Sequence, residues 1–112
     1  MVKTRWITEM GMGVDVHGGD YTKAARRAVS DALRHSSLNL FNATGKTVHD
    51  MFVDVIIGAA EPDQVDCEAV AEEVPYGTVT VTAKKGGLDV SSPSGEDVLI
   101  MANAAILVSF EE

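Results

Sequence analysis

Four segments of the chain alternate between two faces in the pattern of β-strands, and a fifth segment is long and apolar. Between the first three of these segments, two others place small apolar residues at helical spacing. The alternating segments are residues 2–10, 51–58, 78–83 and 88–90, the apolar segment is 98–110, and helices are predicted at about 21–35 and 64–73. The pattern therefore predicts the order β-α-β-α-β-β-β and the α+β class, with a single mixed sheet and two helices packed on one face.

The ends of these elements carry their own signals. The first strand is expected to end at the glycine segment after Met10, and Asp20 is a plausible N-cap of the first helix. Asp63 or Asp66 would begin the second helix. The last segment could form a helix over Leu99–Ala105, but β-branched residues at both of its ends favour a strand. Residues 36–49 are predicted to form a loop, with a short turn around 38–41.

The size of the chain limits the fold further. With 112 residues it is expected to form a single domain over residues 1–112, large enough for a core but small enough to gain from a partner. The sheet face away from the helices would be semi-polar, and we expect other subunits to bury it. This face is predicted to carry Trp6, Asp54, Thr78, Thr80 and Thr82.

Charge and composition exclude several classes of function. The formal net charge of −8 argues against nucleic acid as a partner, because phosphate backbones are bound by clustered Lys and Arg. No uninterrupted apolar run reaches the length of about 18 residues that a membrane span needs. The single cysteine, Cys67, allows no intrachain disulfide, and no signal peptide is evident. We therefore expect a cytoplasmic protein with no nucleic-acid or membrane partner.

The candidate chemistry lies in the glycine-rich segment of residues 11–19, between the first strand and the first helix. Its Asp15 and His17 supply a carboxylate and an imidazole two residues apart. Such a pair can act as a general base with its orienting partner, or hold a divalent metal such as zinc. A zinc site needs three or four protein ligands, and no third one stands at motif spacing.

Two other interpretations of this segment stay open. Glycine-rich turns before a helix expose backbone N–H groups to an anion, and Thr22 and Lys23 in the first helical turn could add a hydroxyl and an ammonium. Such a ligand site would include the glycines Gly11, Gly13, Gly18 and Gly19. Alternatively, the glycines only permit a sharp connection, in which Asp15 accepts backbone N–H bonds.

The string Gly-x-Gly-x-Asp-x-His-Gly, followed by Asp20-Tyr-Thr-Lys-Ala-Ala and by Ala102-Asn-Ala-Ala near the end, resembles a small family of conserved hypothetical proteins. That family is named from a listerial member and also occurs in other bacteria and in plants. The resemblance spans essentially the whole chain and brings no established activity with it.

A second resemblance concerns methylerythritol cyclodiphosphate synthase. The stretch Gly13-Val-Asp-Val-His17 is similar to the segment in which that enzyme provides an Asp and a His to a divalent metal, and residues 28–33 resemble its following helix. The resemblance implies that Asp15 and His17 match metal ligands. However, Arg27 stands where the enzyme has its third ligand, and the substrate loops between the two motifs are missing. The resemblance therefore implies a chorismate-mutase-like fold, whose members are typically trimers with sites between subunits, and not the enzyme's activity.

Arg27 favours a metal-free site, because a guanidinium there would repel a metal, pair with Asp15 and help to hold an anionic substrate. We therefore expect a homo-oligomer, with a trimer favoured, and a site for a small polar or anionic metabolite between subunits. Asp15 and His17 would be its catalytic pair, with Lys23 and Arg27 as anion-holding cations. The alternatives are a non-catalytic oligomer that binds a metabolite or a divalent metal, and a purely structural subunit.

Overall fold

A computed structural model describes residues 2–35 and 45–112 of the chain. The predicted order of strands and α-helices is confirmed. The strands are β1 (Lys3–Asp15), β2 (Phe52–Ala59), β3 (Thr78–Lys85), β4 (Leu88–Ser91) and β5 (Val98–Glu111), and the α-helices are α1 (Tyr21–Leu33) and α2 (Cys67–Ala71). The turn predicted at residues 38–41 lies outside the described residues.

The five strands form one mixed sheet, as predicted, with β5 in its middle. The order is β1-β5-β2-β3, and β4 pairs with β5 next to the end of β2. The pairing of β2 with β3 is parallel and the other pairings are antiparallel. Every second side chain of β5 from Ile100 to Phe110 is buried, so the predicted strand phase is confirmed over its full length.

Helix α1 covers one face of the sheet, over β1 and β5. Its buried side consists of Tyr21 and mostly small residues, which lets the helix axis lie close to the strands. Its N-cap is Asp20, as predicted, whose side chain accepts a hydrogen bond from the backbone N–H of Lys23 at 3.0 Å. The helix therefore begins immediately beyond the glycine-rich segment.

Helix α2 packs against β3 and α1 and is shorter than predicted. The sequence pattern suggested one helix from about residue 64 to residue 73, but Pro62–Gln64 form a separate 3-10 turn. Asp66 is the N-cap and accepts hydrogen bonds from the backbone N–H groups of Glu68 and Ala69. Of the two predicted start residues, Asp66 is therefore the one used.

Strand β1 differs from its prediction in two ways. It does not end after Met10: it continues through Gly11 and Gly13 to Asp15, paired with β5 throughout. A bulge between Arg5 and Ile7 also breaks the two-residue alternation. The ring of Trp6, at this bulge, packs edge-on against the ring of the buried Phe110, with 6.2 Å between the ring centres. The prediction that Trp6 lies on the sheet face away from the helices was therefore wrong.

The sheet face opposite α1 is not covered by any element of the described chain. Among the described residues, no helix is long and apolar enough to cross a membrane.

Candidate functional site

Gly11 and Gly13 hold the strand and the helix that frame the site in close contact. A Cβ atom at Gly11 would lie 2.5 Å from the backbone nitrogen of Ala32, and one at Gly13 would lie 2.3 Å from the carbonyl oxygen of Ala24. Real Cβ atoms do not approach backbone atoms so closely. These two glycines therefore have a packing role inside a strand, and the expectation that they form a turn was wrong.

Gly18 and Gly19 are different, since they form the connection from β1 to α1. Their φ angles are 92° and 60°, in the left-handed region that side chains with a Cβ avoid. This reversal brings the backbone N–H of Asp20 back to the side chain of Asp15. The sharp connection expected of the segment is thus made by its second pair of glycines.

Asp15 is buried at the end of β1, with 2% of its surface exposed. Its Oδ2 accepts a hydrogen bond from the backbone N–H of Asp20 at 2.9 Å, and its Oδ1 lies 3.5 Å from Nζ of Lys23 and 3.9 Å from a guanidinium nitrogen of Arg27. The Asp20 N–H bond is the main reason why the pKa of Asp15 is lowered, and Lys23 and Arg27 act in the same direction. Asp15 is therefore a buried carboxylate held in its charged form.

Arg27 is held in place from two sides. Besides its contact with Asp15, its guanidinium donates a hydrogen bond to the backbone carbonyl of Val14 at 2.5 Å. The predicted pairing of Arg27 with Asp15 is present in the structure. Half of the Arg27 side chain and half of the Lys23 side chain remain exposed to solvent.

His17 follows the end of β1 and contacts Asp97, a residue near the C-terminal end of the chain. Its Nδ1 is 2.7 Å from Oδ2 of Asp97, while its side chain is 86% exposed. The His17 hydrogen bond is the main reason why the pKa of Asp97 is lowered, and the backbone N–H of Val98 assists by donating to Oδ1 at 2.9 Å. The imidazole of His17 is thus paired with the carboxylate of Asp97, whereas the sequence pattern predicted a pairing with Asp15.

A groove of about 360 Å³ runs beside this pair. It is bounded by the loop that precedes β5, where the hydroxyl of Ser92 accepts a hydrogen bond from the backbone N–H of Asp97 at 3.2 Å. The lining combines hydroxyl, carboxylate and imidazole groups with apolar side chains: Val16, His17, Ser92, Ser94, Glu96, Asp97, Val98 and Leu99. Such a mixture suits a small polar molecule with some apolar surface.

The predicted site residues thus form two neighbouring clusters. One contains Asp15, Lys23 and Arg27, and the other contains His17 with Asp97. Thr22 lines a groove together with Lys23 and Arg27, and its hydroxyl accepts a hydrogen bond from the backbone N–H of Asp66 at 2.8 Å, which ties α1 to the start of α2. Whether these residues bind a ligand or catalyse a reaction stays a prediction.

Sequence reasoning missed Asp97, which lies 80 positions from His17 in a loop of Ser, Pro and Gly residues. A signal existed in the strand pattern. In an antiparallel pair of β1 and β5, the end of the first strand meets the start of the second, and Asp15 is indeed paired with Ile100. That pairing could not be deduced before the strand order was known.

A further polar pair, Tyr21 with Asp89 of β4, was also missed. The buried phenol of Tyr21 donates a hydrogen bond to Oδ2 of Asp89, and this bond is the main reason why the pKa of Tyr21 is raised to about 12. The other oxygen, Oδ1, is buried without a hydrogen-bond partner among the described residues. The pair links the first turn of α1 to the middle of the short strand β4.

The residues around Asp15 do not fit the three-ligand metal site that the second resemblance implies. Within residues 2–35 and 45–112, no three His, Cys, Asp or Glu side chains gather closely enough to hold a metal ion. Asp15 already faces two cations, and Arg27 stands at the third ligand's position. The described residues around Asp15 therefore do not form a metal site.

The fold and the strand-end position of these clusters define an α+β protein with polar groups gathered where β1 meets α1 and β5. The chain belongs to the family described as "Conserved hypothetical protein (Lin0512_fam)", whose model matches residues 5–108. This confirms the family suggested by the Gly-x-Gly-x-Asp-x-His-Gly string.

A solved structure shows the same fold. The chain is similar to the crystal structure of an FtsZ-like protein of unknown function from Nostoc punctiforme PCC 73102, with 35% sequence identity and a TM-score of 0.88. The similarity covers 100% of this chain and 99% of that one. No curated protein matches the chain significantly.

Proposed function

We propose that the protein is a small-molecule enzyme in which His17, oriented by Asp97, transfers protons as a general base and acid. The observation that carries this proposal is the 2.7 Å contact between Nδ1 of His17 and Oδ2 of Asp97. A carboxylate on Nδ1 fixes the neutral ring as the tautomer with its proton on Nδ1. The lone pair of Nε2 then faces away from Asp97 and is available to a substrate.

Asp15 takes a different role from the one expected of it. The backbone N–H of Asp20 and the two nearby cations lower its pKa in spite of its burial, so it keeps its negative charge and does not carry protons near neutral pH. It pairs with Lys23 and Arg27, and the three side chains together carry a net charge of +1. These two cations, half exposed on the first two turns of α1, line a second groove and favour a substrate that bears a carboxylate or phosphate group.

The remaining features of the proposal concern the surroundings of the site. We propose a homo-oligomer, a trimer by the chorismate-mutase-like resemblance, whose subunits form single domains in the cytoplasm. The exposure of His17 supports an oligomer, because efficient proton transfer needs a site that excludes bulk water. A neighbouring subunit would provide that cover.

The proposal is tested by turnover of a panel of compact metabolites with carboxylate or phosphate groups, followed by mass spectrometry. For a substrate that the wild type converts, we expect His17→Gln to lower kcat about 10²- to 10⁴-fold, the usual contribution of general acid–base catalysis. His35→Gln is the matched control, since His35 is also exposed and lies 3.7 Å from an aspartate, Asp31. We expect it to keep full activity.

The alternative, a non-catalytic metabolite-binding oligomer, predicts a different result. Panel members would raise the melting temperature of wild type and of His17→Gln equally, without turnover by either protein. That result would refute the acid–base role of His17. A conversion that His17→Gln performs as fast as the wild type would refute it as well.

A further inference from the structure

The sheet face opposite α1 carries a continuous apolar surface, which we call the open face. It is formed by every second residue of the second half of β1, of β4, and of the first part of β5. Five large side chains on it are between 39% and 66% exposed: Met10, Met12, Leu88, Val90 and Leu99. Soluble monomers seldom expose so many large apolar side chains side by side, and such surfaces usually bind another protein.

The charge distribution indicates which protein binds to the open face. The chain has a formal net charge of −8, yet the outward positions 8–14 of β1, 99–107 of β5 and 88–90 of β4 carry no Asp, Glu, Lys, Arg or His. Two copies of an acidic chain repel each other wherever their charged surfaces approach. The open face is where two copies can meet with the least repulsion. At its edge Lys84 and Lys85 line a groove together with Met10, and these cations would attract a second copy of an acidic chain.

The open face also extends to the candidate site. Leu99 belongs to the open face and to the lining of the groove beside His17, and Val16, 49% exposed, lines the same groove. A second copy seated on Met12 and Leu99 would reach the rim of this groove. It would thereby cover the imidazole of His17, which its own chain leaves 86% exposed.

We infer that the open face binds a second copy of this chain, and that this contact closes the groove beside His17. The first part names the surface through which the proposed homo-oligomer forms, and the second part rests on the proposed function of His17. Assembly is measured without any substrate, so a failure of this inference is distinguishable from a failure of the acid–base proposal.

Sedimentation velocity over a range of micromolar concentrations tests the inference. We expect the wild type to sediment as an oligomer, and Met12→Lys and Met10→Lys each to weaken the assembly at least about 100-fold, because a lysine would be buried against an apolar surface. Both side chains are more than half exposed, so the variants should keep the wild-type circular dichroism spectrum. Val2→Lys is the matched control, since Val2 is 72% exposed and lies outside the open face.

An oligomeric wild type with monomeric lysine variants and an oligomeric Val2→Lys supports the inference. A monomeric wild type overturns it, as do two folded lysine variants that still assemble like the wild type.

Discussion

At the scale of single residues, Asp15 and His17 show how two neighbours in sequence take separate partners. Residues two apart in a strand share a face, but β1 ends at Asp15 and the chain reverses at Gly18 and Gly19. Asp15 therefore turns inward to the start of α1, and His17 reaches outward to Asp97. The sequence correctly indicated that Asp15 and His17 take part in polar contacts. It could not show that they have different partners, because this follows from the point at which β1 ends.

Tyr21 gives a prediction of pH dependence at the same scale. Its pKa is raised from 10.0 to about 12, chiefly by the hydrogen bond that it donates to Asp89. The stabilisation from this bond is therefore complete below the unfolded-state pKa and is lost as the pH rises towards the folded-state value. We expect the free energy of unfolding, measured with urea, to fall between about pH 10 and about pH 12 more steeply in the wild type than in Tyr21→Phe.

Tyr76→Phe is the control for that measurement, because Tyr76 is 47% exposed and lies outside the core. This variant should keep the wild-type fall in stability. Equal falls in the wild type and in Tyr21→Phe would show that the hydrogen bond to Asp89 does not stabilise the fold.

At the scale of elements, β5 could be predicted as a strand because β-branched residues stand near both ends of its apolar segment. Its inward residues from Ile100 to Phe110 are all apolar, but so are most of its outward residues, so the buried face of β5 follows from the position of α1. The course of β1 could not be predicted in the same way. Glycine is a poor strand former on its own, and only the position of α1 explains why Gly11 and Gly13 lie within a strand.

This account of the glycines predicts the effect of adding a single methyl group. Gly13→Ala should lower the free energy of unfolding by about 3 kcal/mol, because the new Cβ would overlap with backbone atoms of α1, which cannot move aside as a side chain can. Gly18→Ala should lower it by only about 1 kcal/mol, since it has a positive φ but no atom within 4 Å of the added Cβ.

Urea unfolding of the two variants provides the comparison. A smaller loss for Gly13→Ala than for Gly18→Ala would contradict the packing role of Gly13.

At the scale of the whole molecule, the sequence was sufficient for the fold class, the order of elements and the family. Each depends on features that are local or that repeat along the chain, namely strand alternation, the Asp20 cap and the glycine string. The partner of His17 was not predictable, because Asp97 meets it through the pairing of the first and last strands. Long-range pairing of this kind leaves little trace in one sequence.

The open face belongs to this scale too. Trp6 was expected on it and packs instead on Phe110, whereas Met10 and Met12 form its exposed part on β1. The expectation that other subunits bury this face stays a prediction, now with particular residues to test it. Leu99 belongs to the open face and, like Val16, lines the groove of the candidate site. Assembly through the open face would therefore affect the chemistry in the groove.

The central claim of this account is that Asp97 orients His17 for proton transfer. The most direct test is the ¹⁵N NMR spectrum of the His17 imidazole at about pH 8.5, where an ordinary histidine is neutral. We predict that the proton resides on Nδ1 in the wild type and that Asp97→Ala shifts the population towards the Nε2–H tautomer. A wild-type His17 with its proton on Nε2, unchanged in Asp97→Ala, would contradict the claim.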